Sequence, residues 1–113
     1  MRRSWTTVPA AVIGAARQEH RLVVVPAGVV GQVWRGGGRQ ARLARLLNAR
    51  DVVVESLTDA GARAAGVLCG NAGTRDVVDA SVVLAARRHR NTVVSSDRAD
   101  LQVLDPTIRL VDC

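Results

Sequence analysis

Apolar residues along this chain fall into two rhythms, helical spacing and short unbroken runs. Val8, Ala11, Val12 and Ala15 recur at three- and four-residue intervals and predict a helix over 5–19. The run Leu22-Val23-Val24-Val25, closed by Pro26, is short and wholly apolar, as a strand buried in a parallel sheet requires. Pro26 suits the first position of a helix reaching about Arg35, and Gly36-Gly37-Gly38 breaks it. Over 39–48 a further helix puts Leu43, Leu46 and Leu47 on one face and Arg42 and Arg45 on the other. Val52-Val53-Val54 is a second strand. Thr58 caps a helix to about Cys69, and Gly70-Asn71-Ala72-Gly73 forms a loop. A helix over 76–89, a strand over 92–95, a short helix over 98–104 and a last strand over 108–111 complete the series.

Short apolar strands alternating with helices predict a three-layer α/β/α domain built on a parallel sheet. With 113 residues the chain fits one such domain, 1–113, and no repeat or linker interrupts it. In sheets of this kind function gathers beyond the carboxyl ends of the strands.

Composition sharpens the picture through charge. Sixteen basic residues against ten acidic give +6, and all sixteen are arginines, whose forked guanidinium binds phosphate in two places at once. A GC-rich coding bias alone also yields such a chain. With 2% aromatic residues, Trp5 and Trp34, no sheet-borne platform for stacking several bases is possible. Cys69 and Cys113 are too few for a disulfide framework, and His20 and His89 stand at no zinc spacing with them. Free thiols in a reducing cytoplasm are the expectation. Arg2-Arg3 before an apolar stretch outlines a signal peptide, but the stretch is short and carries Pro9. No run is long enough to span a bilayer, so no membrane partner is expected.

Eight of the ten acids are aspartates, and Asp76, Asp79, Asp97 and Asp100 crowd the last third. Such a cluster in a basic protein suggests a cation beside a polyanion. Helix capping accounts for Asp76 and Asp97 without any chemistry, and a similar role suits Asp100. Asp79 differs, because it leads into Ala80, Val82, Val83, Leu84, Ala85 and Ala86, and a carboxylate entering a buried helix is costly unless paired or bound to metal.

The stretch Asp76-Val77-Val78-Asp79-Ala80-Ser81-Val82-Val83-Leu84-Ala85-Ala86-Arg87 resembles the "DAxxxAA" helix of PIN-domain nucleases. Thr92-Val93-Val94-Ser95-Ser96-Asp97-Arg98-Ala99-Asp100-Leu101 is similar to their "TSDxxDL" strand ending, and Val24-Val25-Pro26-Ala27-Gly28-Val29-Val30-Gly31-Gln32-Val33-Trp34-Arg35 to their "VPAxVxAEVWR" joint. The three motifs stand in the family's order and cover nearly the whole chain, with VapC-type toxins of toxin–antitoxin pairs as the nearest kin.

The resemblance implies a cytoplasmic endoribonuclease in which carboxylates hold Mg²⁺ or Mn²⁺, hard cations that prefer oxygen donors. It makes Asp79 and Asp97 metal ligands, Asp76 a catalytic neighbour able to bind through water, and Gln32 and Asp100 outer neighbours of the ion. It further implies an RNA substrate, a cognate antitoxin and a homodimer. Two departures stand out. The family's first, central strand, reading roughly "LDxSAL", has no counterpart, which leaves the strands 22–25 and 92–95 without their shared neighbour. Gln32 replaces the family's glutamate and brings no negative charge. Weaker Mg²⁺ affinity follows, and the expectation is a start codon further upstream or a decayed copy. The alternative function is a catalytically inactive PIN remnant that binds antitoxin or RNA. A nucleotide-binding α/β protein has only Gly36-Gly37-Gly38 in its favour, and that triplet follows a helix instead of joining strand to helix.

Overall fold

The valine runs form strands, and each strand lies parallel to a partner. A computed structural model describes residues 23–34, 36–38, 40–95 and 98–111, so the helix expected over 5–19 lies outside the described residues, as does Asp97. The element order is β1 (Val23–Pro26), α1 (Ala27–Val33), α2 (Gln40–Leu47), β2 (Val52–Glu55), α3 (Asp59–Ala72), α4 (Val77–His89), β3 (Val93–Val94), α5 (Arg98–Leu104) and β4 (Leu110–Val111). The protein is mixed α/β. Its described strands pair as two parallel ladders, β1 with β2 and β3 with β4, in place of the single sheet expected from the alternation. Val23 pairs with Val52 in one ladder and Val93 with Leu110 in the other.

Several boundaries move: the last strand, expected over 108–111, is Leu110–Val111, the helix expected to about Arg35 ends at Val33, and three others show a local reason. Pro26 closes β1 and does not open the helix, because its ψ of 139° is extended and helical geometry begins at Ala27. Gly70, Asn71 and Ala72 stay inside α3, since the left-handed turn that ends the helix falls on Gly73, with φ 73°. The strand expected over 92–95 shortens to two residues, although the Ser95 amide still donates to the Val111 carbonyl at 3.1 Å. At the start of α3, Thr58 caps as expected, its hydroxyl accepting from the Gly61 amide at 3.0 Å.

The centre of the molecule is α4. It packs against α1, α3, α5, β1 and β3, and seven of its residues are buried: Asp79, Ala80, Ser81, Val82, Val83, Ala85 and Ala86. Such a helix has no solvent face to give it amphipathic spacing, which is why its sequence reads as nearly continuous apolar residues. Its small side chains allow close approach: a Cβ on Gly28 of α1 would stand 3.1 Å from Val78 Cγ2. Val83 and Leu101, both 0% exposed, contribute roughly 1.5–3 kcal/mol each by leaving water.

Both α3 and α4 end in a left-handed residue, with the next amide reaching back to an orphan carbonyl. Thr74 donates to the Cys69 carbonyl at 3.1 Å and Asn91 to the Ala86 carbonyl at 2.9 Å. Gly73 adopts this turn freely, whereas Arg90 holds φ 55° against the preference of a residue with a Cβ. Arg90→Gly is therefore expected to stabilise the protein by about 0.5–1 kcal/mol, and Gly73→Ala to destabilise it by about 1 kcal/mol. Urea unfolding of the two variants beside the parent checks both signs.

Candidate functional site

The first turn of α4 is organised by two aspartates three residues apart. Asp76 sits just before the helix in extended geometry, and its Oδ1 accepts from the Asp79 amide at 2.9 Å. This is the capping role that the sequence allowed for Asp76, and it engages one of the two carboxylate oxygens. The cap is itself supported. The Asp76 amide donates to Thr74 Oγ1 at 3.4 Å, and the buried Cys69 thiol donates to the Asp76 carbonyl at 3.4 Å.

Asp79 is the residue that simple packing does not explain. It is 1% exposed, among the most deeply buried side chains of the molecule, yet it carries a carboxyl group. Its position follows from the helix: once Ala80, Val83 and Ala86 face the core, the residue at the head of that stretch is carried inward with them. Helix geometry also puts its carboxylate near the free amides of the first turn, where negative charge is favoured.

Thr74, Asp76, Asp79, Asp100 and Val103 line a cavity of about 270 Å³. The structure therefore brings three of the proposed acids to one opening, Asp100 arriving from the first turn of α5. Asp97 lies outside the described residues. Gln32 is not among the residues lining this cavity. It follows Gly28 by four residues on α1 and so shares the face that abuts Val78, the neighbour of Asp79. Its Oε1 is buried with no hydrogen-bond partner among the described residues.

In kind, these donors suit a hard divalent cation: all are oxygens, and the central one is a buried carboxylate. Among the described residues, however, no three of the Asp, Glu, His and Cys side chains group closely enough to hold a metal ion. The residues present supply Asp79 and its neighbours at one opening, and a complete ligand set is not seen among them.

One buried acid escaped the sequence reading. Asp105 is 6% exposed and takes part in a closed network. Its Oδ1 accepts from the Thr107 amide at 2.9 Å and the Thr107 hydroxyl at 2.6 Å, and its Oδ2 meets Arg87 Nε at 2.9 Å. The Asp105-Pro106-Thr107 turn was the available signal, since an aspartate before proline favours a side-chain-bonded turn. The role is structural, tying the C-terminal end of α4 to the turn after α5.

The chain matches no protein-family model, no curated protein and no solved structure.

The hydrogen bonds from Thr107, with a further contribution from Arg87, outweigh burial and hold the Asp105 carboxyl below the ordinary aspartate value. A depressed carboxylate contributes stability above its unfolded pKa and loses it as pH falls through the folded value. Asp105→Asn puts an amide donor toward Arg87 and is expected to cost about 1–3 kcal/mol near neutral pH. The gap between variant and parent should shrink below about pH 4. Denaturant midpoints measured from pH 7 to pH 3 test this, and a gap that widens in acid would contradict it.

Proposed function

We infer that this chain is a PIN-type, metal-dependent ribonuclease related to the toxins of toxin–antitoxin pairs. The single observation that supports it most is Asp79: a carboxylate buried to 1% exposure that opens, with Asp76 and Asp100, onto one cavity. Sequence had singled out the same residue from a motif, and the packing gives a separate reason to regard it as more than a cap. The PIN architecture and the toxin role rest on the resemblance of the three motifs. The homodimer and the cognate antitoxin rest on it as well.

In this reading Asp79 and Asp97 hold Mg²⁺ or Mn²⁺ directly. When bound, the ion lowers the pKa of a water and offsets charge developing on the phosphodiester. The chain's own residues do the rest. The Asp76 cap fixes the first turn of α4 and so holds the Asp79 side chain at the opening. Buried apolar neighbours of Asp79 keep bulk solvent from screening its charge. Among the described residues no helix is long and apolar enough to cross a membrane.

A second reading has a specific observation behind it. Gln32 stands where the resembled family has a glutamate and adds no charge. The missing charge favours a remnant that binds antitoxin or RNA without cleaving.

Asp79→Asn keeps the shape of the side chain and removes its charge. It should lower Mn²⁺ binding, followed by the electron paramagnetic resonance of the free ion, and reduce Mg²⁺-dependent cleavage of a fluorescent RNA by roughly a hundredfold or more. Cleavage that survives this change would dismiss the nuclease assignment. A parent protein that neither binds Mn²⁺ nor cleaves, yet folds and binds RNA, would establish the second reading.

A further inference from the structure

The side chains around the cavity divide by what they can offer a ligand. Asp76, Asp79 and Asp100 present only acceptors when ionised, and Val103 has no polar side-chain atom. Thr74 is the one lining side chain with a proton to donate. Its place is fixed from both directions. The left-handed Gly73 closes α3, and the Thr74 amide donates back to the Cys69 carbonyl at 3.1 Å. Its Oγ1 accepts from the Asp76 amide at 3.4 Å, which ties it to the cap of α4. Thr74 thus joins the end of one helix to the start of the next, at the cavity wall.

That hydroxyl is engaged as an acceptor, and its proton is given to no group among the described residues. A water held by a cation is polarised to donate, and the carboxylates are there to accept from it. The Thr74 proton is left for a ligand that brings acceptors alone. The nonbridging oxygens of a phosphodiester are such acceptors, and their charge strengthens the bond. A neutral donor also suits this wall better than an arginine, which three carboxylates would bind in preference to phosphate.

We propose that Thr74 positions the scissile phosphodiester, its hydroxyl donating to one nonbridging oxygen while the carboxylates face the cation. The identity of the ligand rests on the nuclease reading. The cavity then has an acidic side for the metal and a neutral donor for the anion, and Thr74 makes and breaks no bond to phosphorus.

Thr74→Val keeps the shape of the side chain and removes the hydroxyl, and Thr74→Ser restores it. Three readouts separate a role toward substrate from one in packing. They are Mn²⁺ affinity by electron paramagnetic resonance, anisotropy of a labelled UUUU tetranucleotide in Ca²⁺, and kcat/KM for its cleavage in Mg²⁺. In Thr74→Val, Mn²⁺ affinity should stay within about twofold, while tetranucleotide affinity and kcat/KM fall roughly ten- to a hundredfold. Thr74→Ser should recover both. Sulfur in place of a nonbridging oxygen is a poorer acceptor, so one phosphorothioate diastereomer should bind the parent more weakly and leave Thr74→Val indifferent. Circular dichroism checks the folding of each variant. Should Thr74→Val not fold, the Thr74 methyl resonance of the parent should move when tetranucleotide is added to the Ca²⁺-loaded protein, and its failure to move would overturn the proposal. So would parent-like binding and cleavage by Thr74→Val, an equal fall in Mn²⁺ and tetranucleotide affinity, or a sulfur effect that persists in Thr74→Val. A parent that binds the tetranucleotide without cleaving it removes the nuclease reading, and the binding readouts still decide the role of Thr74. A parent that neither binds nor cleaves overturns both. Cleavage abolished by Asp79→Asn yet untouched by Thr74→Val upholds the nuclease and overturns the role of Thr74.

Discussion

A helix buried around most of its circumference imposes conditions on everything beside it, and α4 is such a helix. Its backbone satisfies itself internally, but its ends do not, and its side chains must be met by other elements on every side. The aspartate at its start and the left-handed Arg90 at its end deal with the two termini. Alanines and valines along its length let α1, α3, α5 and the strands β1 and β3 close around it. Among the described residues each ladder has two strands, and isolated two-stranded ladders are marginal, so the packing of β1 and β3 on α4 supports them.

The same constraint creates the candidate site. A helix that must enter the core from its first turn carries inward whatever occupies that turn. Here the occupant is Asp79, and Asp76 and Asp100 meet it at the cavity mouth. Charge placed there is favoured by the helix dipole and disfavoured by burial, a balance that a divalent cation would tip. Asp105 meets burial differently. Its network of Thr107 and Arg87 satisfies both carboxylate oxygens, which makes it a clamp and leaves it no role in chemistry.

Acid and base are thus handled in separate places. Asp76, Asp79 and Asp100 meet at the head of α4, while Arg42 and Arg45 stand on the outside of α2. Arg87 and Arg88, near the other end of α4, are tied to Asp105 and Glu55 and act as struts between elements.

Sequence by itself determined the kinds of element and most of their places. The helix over 98–104 begins and ends where its spacing put it, and the valine runs at 23–25 and 52–54 are strands, because local period and side-chain volume decide those matters. It also determined that Asp79 had to be unusual, since a charge leading into a wholly apolar helix conflicts with its surroundings. Only the tertiary structure decided how strands pair, because an apolar run contains no statement of its neighbour; the expected single sheet is two ladders among the described residues. Ends of elements were settled there as well: Gly73, and neither Gly70 nor the dipeptide after it, takes the left-handed turn. The network at Asp105 depends on Arg87, a group distant in sequence. Pattern along a chain records which residues seek burial, and only packing determines which of them obtain it and what is carried in with them.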